Sequence, residues 1–312
     1  VTSGTVNIGM TSNPGHTING SISVASGATL NFNPSSSGTF IFDGSSTATT
    51  ISNSGTLTFN NLQAILINNV FGVTLNNSQT FSGNLTINPS CLLATSGALT
   101  ISGTKTFNGS FQLNQGGSIA SAPTYGSSST LLYAGTTTQT ASANEFPSTN
   151  GPSNIVSKNA AGVTLPGSFV RTITGNLTLT SGTLNDGGNV ITVQGSILGT
   201  GTHTSGAGGR IFLNGNTPSI SGATLGNVRI NNPTTLTFTG AATVNGTFDQ
   251  SGFNPVPIAS GGNTMTFAGD FLTNSAVTLT GGGTINMTGV SKVLNIGVAS
   301  INHLEIATGA SI

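Results

Sequence analysis

Four stretches decide the fold: Gly38-Thr-Phe-Ile-Phe-Asp-Gly44, Ser129-Thr-Leu-Leu-Tyr-Ala-Gly135, Gly209-Arg-Ile-Phe-Leu-Asn-Gly215 and Gly283-Thr-Ile-Asn-Met-Thr-Gly289. The third and fifth places are apolar in every copy, whereas the second is Thr or Arg and the fourth tolerates Asn286. A period of two is that of a β-strand with one face buried. It predicts Phe40, Phe42, Leu131, Tyr133, Ile211, Leu213, Ile285 and Met287 inward, with Thr39, Thr130, Arg210 and Thr284 outward. The seventh place is always Gly, which suits a strand that must stop and turn through a conformation other residues resist. The closing glycines are Gly44, Gly135, Gly215 and Gly289, and the step from one to the next shortens along the chain. Recurrence on that scale signals repeat architecture: one domain, 1–312, of about four imperfect blocks of about 75–90 residues.

A second pattern, Thr-Φ-x-Gly-x-Φ-x-Φ with Φ apolar, recurs independently at Thr17–Val24, Thr80–Ile87, Thr106–Leu113 and Thr172–Leu179, with a degenerate copy at Thr243–Phe248. Further strands lie near Asn, as in Asn154–Asn159, Asn227–Asn232 and Asn302–Ile306. No stretch carries apolar residues at helical spacing, and Ala, Glu and Lys are too scarce to sustain a helix. Antiparallel sandwiches and barrels do not need such repeats, whereas a solenoid stacks like on like. Stacking also explains the abundant Asn and Thr, because like polar side chains one coil apart can bond in ladders. The expectation is an all-β, elongated parallel β-helix (a β-solenoid) without a helical domain. At about 20 to 25 residues and about 4.8 Å per coil it has about 13–15 coils.

Charged residues are 4% of the chain, six basic against six acidic. Ordinary globular proteins carry roughly a quarter. No basic surface is available to neutralise phosphates and no polybasic segment to meet anionic lipid, so nucleic acid is excluded as a partner. No apolar run approaches the roughly 20 residues of a membrane-spanning helix, so membrane insertion is not expected. The opening Val1-Thr-Ser-Gly does not look like a signal peptide and reads as a mature form or as a segment of something longer. Cys91 is the only cysteine; it reads as a small buried core residue.

The run Ser128–Gly135, Glu145-Phe-Pro147, Asn150–Ile155, Asn159–Leu165 and Gly175–Leu184 resembles the repeats of very large secreted surface proteins of Bacteroidetes-type bacteria. Those proteins are often cargo of the type IX secretion system and are usually called adhesin-like. The resemblance is clearest from about Ser128 to Phe238. It implies a parallel β-helix located outside the cell or on its surface, and it supplies no catalytic residues.

Many parallel β-helix proteins are polysaccharide hydrolases or lyases, and glycoside hydrolysis needs two carboxyl groups roughly 5 to 9.5 Å apart. Of Asp43, Asp186, Asp249, Asp270, Glu145 and Glu305, only Asp249 and Asp270 are separated by about one coil of chain. Each lies just beyond a strand with no Lys, Arg or His near it in sequence, and reads as a solvated turn position. Arg229 and Glu305 take outward places that blunt a surface. The histidines His16, His203 and His303 have no metal spacing, and Gly281–Gly283 lacks the helix and Lys of a phosphate cradle. Neither catalysis nor a cofactor or metal is expected. Outward Thr pairs such as Thr56/Thr58, Thr172/Thr174, Thr178/Thr180, Thr235/Thr237, Thr264/Thr266 and Thr278/Thr280 suit ice binding locally, but their spacings do not place one pair on each successive coil.

The expected function is a structural subunit of an extracellular fibre, filament or sheath. The end stretches Gly4–Gly9 and His303–Ile312 read as interrupted repeats, with Val6, Ile8, Leu304, Ile306 and Ile312 as the assembly residues. Open strand edges without charge or Pro favour pairing with the next coil, and a contact that does not close on itself propagates. The main partner is therefore another copy or more of the same chain. The alternative is a stalk segment of a large adhesin, whose neutral flanks leave glycans open as partners; ice-binding and polysaccharide-active β-helices are lesser alternatives.

Overall fold

The computed structural model describes residues 1–8, 15–32, 38–44, 46–60, 62–231, 234–252, 256–273, 278–296, 301 and 303–312. Gly9, Asn232 and Asn302, quoted above at strand ends, lie outside these residues. The chain forms two compact units, one of residues 1–136 with 142–153, the other of 137–141 with 154–312.

Each unit is a parallel β-solenoid. In the first unit three six-strand faces are visited in strict rotation. Face I runs from Thr5–Ile8 to Ser118–Ile119, face II from His16–Ile18 to Thr124–Tyr125, and face III from Ile22–Val24 to Thr130–Tyr133. The result is six coils of three strands. The second unit rotates in the same way through face IV (Asn154–Ser157 to Leu279–Thr280), face V (Gln139–Thr140 to His303–Ile306) and face VI (Arg171–Ile173 to Leu294–Asn295). It holds seven full coils, with one strand of face V before them and one after. Among the described residues no segment is helical, as the missing 3.6-residue period requires.

Every predicted inward position is buried: Phe40, Phe42, Leu131, Ile211, Leu213 and Met287 are 0% exposed, and Tyr133 and Ile285 1%. Thr39, Thr130, Arg210 and Thr284 are half-exposed on the other side of their strands. The four copies of the seven-residue motif nevertheless fall on four different faces: Gly38–Phe42 on II, Thr130–Tyr133 on III, Arg210–Leu213 on VI and Thr284–Met287 on V. The motif therefore marks a strand with one buried side wherever it occurs. The unit of hydrogen bonding is the coil, and its length varies. Ile211 reaches its register partner already at Val228, whereas Ile22 reaches its own only at Ile51.

The second motif is a corner. In Thr80–Ile87 the strand Gln79–Phe81 of face I ends, Gly83 turns, and Asn84–Ile87 begins face II. Thr106–Leu113 passes from II to III and Thr172–Leu179 from VI to IV in the same way. At such corners a ladder of side chains replaces the backbone one. Asn84 Oδ1 accepts the N–H of Thr104 (2.8 Å), Asn154 that of Asn176 (2.9 Å), Asn176 that of Ser196 (2.8 Å) and Asn227 that of Thr247 (2.9 Å). These corner N–H groups lie at or near the surface, and the polar side chain supplies the acceptor that the bending backbone does not.

The motif-closing glycines serve closeness and not an unusual backbone angle, contrary to the expectation. Gly44, Gly215 and Gly289 have no left-handed φ. A Cβ on Gly215 would fall 1.7 Å from the Gln194 carbonyl oxygen of the preceding coil, and one on Gly289 2.1 Å from that of Ala268. Gly215→Ala is thus expected to destabilise the second unit by about 1–3 kcal/mol, the cost of overpacking against backbone that cannot move aside. Gly167→Ala, where nothing lies within 4 Å, is expected to leave denaturant midpoints unchanged. Equal midpoints for the two variants would refute this account of the corners.

Candidate functional site

Polar side chains enter the buried interior at a few places among the described residues. The most enclosed is in the second unit. Thr202-His-Thr204 is a face V strand whose inward place, opposite Leu184, is taken by His203. Asp186 follows the preceding strand of that face. The two side chains are fully buried, with His203 Nε2 3.2 Å from Asp186 Oδ2. The Gly226 N–H donates to His203 Nδ1 (3.3 Å), so the ring hydrogen sits on Nε2 and points to the carboxylate. Asp186 Oδ1 also accepts the N–H groups of Gly188 (2.9 Å) and Gly206 (2.8 Å). Burial pushes the Asp186 carboxyl up, but the bonds from His203, Gly206 and Gly188 outweigh it and hold the group below its ordinary value.

Outside this pair lies a recess of about 250 Å³ lined by His203, Ser205, Gly226, Asn227 and Gly246 among others. Both ring nitrogens of His203 are engaged, so it has no free position from which to take or give a proton to a molecule in the recess. Ser205 Oγ already accepts the Asn227 N–H (2.9 Å). The arrangement can brace a corner.

In the first unit Glu145 is 3% exposed. Its carboxylate accepts from the Ser142 N–H and hydroxyl and from the Tyr133 hydroxyl, 3.3 Å away. The Tyr125 hydroxyl donates to the Glu145 carbonyl oxygen (2.6 Å). Burial, and then the neighbouring Glu145 charge, raise the Tyr125 phenol well above its usual value. The motif quoted as Glu145-Phe-Pro147 is therefore a turn pinned inward, with Phe146 2% exposed. Arg171 occupies an inward place opposite Ile191, 7% exposed, its guanidinium 3.5 Å from the Phe169 ring centroid and donating to the Val170 carbonyl oxygen (2.8 Å).

The two carboxylates separated by about one coil of chain do not meet in register. Asp249 lies opposite Leu272, not Asp270. Its Oδ2 is 3.5 Å from Arg229 Nε and its Oδ1 accepts the Ser251 N–H and hydroxyl, while Asp270 accepts the Val293 N–H (3.0 Å). The cation absent from the local sequence thus comes from one coil away, since Arg229 and Asp249 are register partners. Among the described residues no three His, Cys, Asp or Glu side chains gather to hold a metal ion. Cys91 is buried, and burial followed by the Asp43 charge raises its thiol.

The predicted assembly residues lie on the outermost strands of their faces. Val6 and Ile8, on Thr5–Ile8, are 41% and 38% exposed, although Leu30 and Phe32, their register partners, are 6% and 3%. Leu304 and Ile306 are 38% and 40% exposed opposite the buried Ile285 and Met287. Ile312 lies past the last strand and is 58% exposed. No family model, characterised protein or solved structure matches the chain.

Proposed function

We propose that the chain is a structural subunit of an extracellular fibre, filament or sheath that extends by adding coil to coil at its outermost strands. The observation that supports this best is the contrast in burial just described. Residues that are core one coil further in are half-exposed on Thr5–Ile8 and His303–Ile306, beside rows of backbone groups that pair with another strand. These apolar side chains suit the edge of a further coil, and the fibre reading assigns that place to another copy. Few charges oppose it, because a nearly neutral surface offers little repulsion between copies, and open edges are normally blunted by charge or Pro. The location outside the cell rests on the resemblance to secreted repeats and belongs to the same proposal.

Residues 1–312, purified and concentrated, are expected to form unbranched filaments in electron micrographs, and Val6→Lys with Ile8→Lys is expected to abolish them while leaving the β-sheet circular dichroism intact. Single rods at high concentration would reject assembly and favour the stalk reading.

A further inference from the structure

Face I of the first unit carries two parallel files of short polar side chains. The outer places of successive strands are Thr5 and Asn7, then Thr29 and Asn31, then Thr56 and Thr58, all in register. Phe59 opposite Phe81 carries the register on to Ser78 and Thr80, and Thr80 lies opposite Thr100. Ala98 alone breaks the first file, over the hydroxyl of Ser78, which accepts its N–H (3.0 Å). Counting only Thr pairs conceals this order, because Asn and Ser fill equivalent places. The first four coils thus carry a polar pair each where the sequence spacings had suggested none, and the last two carry a single polar place, Thr100 and Ser118, beside Ala98 and Ala120.

Both dimensions of the array are set by the backbone: about 4.8 Å between coils and about 6.6 Å between outward places two residues apart on a strand. The side chains are held as well. Asn31 Nδ2 donates to Asn7 Oδ1 (2.8 Å) and Thr58 Oγ1 to Asn31 Oδ1 (2.6 Å), and Thr is stiff at χ1. None of the side chains in the two files is ionisable. Thr5, Asn7, Thr56, Ser78, Thr80 and Thr100 are exposed.

We infer that face I binds ice. A neutral, rigid, two-dimensional lattice of hydroxyl and amide groups, with repeats close to those of the oxygen rows in crystalline water, holds its first water layer in an ordered arrangement that continues into a crystal. A single glycan chain calls instead for apolar, aromatic-lined contact surface. The exposed aromatic among the described residues is Phe71, which lies off this face. Face V provides an internal comparison. Its file Thr183, Thr202, Thr224, Thr243 and Thr266 is in register from coil to coil, yet every member is half-buried, and its companion places are broken in the middle of the stack by the buried Gly226.

The inference does not rest on fibre assembly and is tested apart from it, by ice recrystallisation and the shaping of single ice crystals in solutions of residues 1–312. The wild-type chain is expected to halt recrystallisation and facet the crystals. Thr58→Tyr with Thr80→Tyr is expected to lose both effects, and Thr224→Tyr on face V to keep them, with unchanged circular dichroism in each. Recrystallisation as fast as with an inert protein would overturn the inference. So would full activity in the Thr58→Tyr/Thr80→Tyr variant, or retention on crystalline cellulose or chitin that these substitutions abolish without any effect on ice.

Discussion

Replacing Asp186 by alanine is expected to destabilise the second unit by about 2–4 kcal/mol, the cost of leaving its donors without an acceptor. The carboxylate is 0% exposed and gathers three donors from two coils: the Gly188 and Gly206 N–H groups and His203 Nε2. Alanine leaves all three without an acceptor, His203 Nε2 fully buried and the Gly188 and Gly206 N–H groups partly so, and a buried group so orphaned costs about 1–3 kcal/mol. Asp186→Asn keeps one acceptor oxygen and should lose less. The pH dependence follows from the direction of the shift. The folded carboxyl titrates below its unfolded value of about 3.9, so its contribution is fully present above that value and disappears as the pH falls through the folded one. Denaturant titrations should therefore show wild type and Asp186→Asn converging below about pH 4. A loss under about 1 kcal/mol for Asp186→Ala at neutral pH would mean that the corner relaxes or admits water.

Why this pair escaped the sequence reading shows what such a reading can reach. Alternation is local, so Phe40, Leu131, Ile211 and Ile285 could be placed inward from a few neighbouring residues each, and the structure buries all of them. Corners were equally local, since Thr-Φ-x-Gly-x-Φ holds the end of one strand and the start of the next. What touches what across coils depends on coil length, and the step from Ile22 to Ile51 is far longer than that from Ile211 to Val228. Asp186 meets His203 and Gly206, and Arg229 meets Asp249, only once those lengths are known. The inward place of His203 in Thr202-His-Thr204 was the available clue, because a polar residue at a core position must find a buried partner. Glycine misled for a related reason. Its place at the end of each motif signals a backbone that needs room, but whether for its own angle or for a neighbouring coil is decided by the stack.

The same stacking concentrates the first unit's stability in one side chain. Phe59 ends a face I strand directly opposite Phe32 and Phe81. Its ring stacks on Phe32 with centroids 5.1 Å apart and planes 9° from parallel, and meets Phe40 (5.5 Å) and Phe81 (5.2 Å) edge-on. Phe42 lies 6.5 Å away. These distances are within the range in which aromatic pairs add about 0.5–1.5 kcal/mol beyond area burial. Phe59 is 2% exposed, so truncation opens a cavity that rigid, hydrogen-bonded coils above and below cannot collapse to fill. Phe59→Ala is accordingly expected to destabilise the first unit by about 3–5 kcal/mol, at the level of other buried aromatic deletions. Phe59→Leu, which restores most of the apolar volume, should recover more than half of that loss. Denaturant unfolding followed by circular dichroism measures both. If Phe59→Leu proved as damaging as Phe59→Ala, stability there would depend on ring geometry and not on filled volume, and the neighbouring coils would be held by the aromatic contacts themselves.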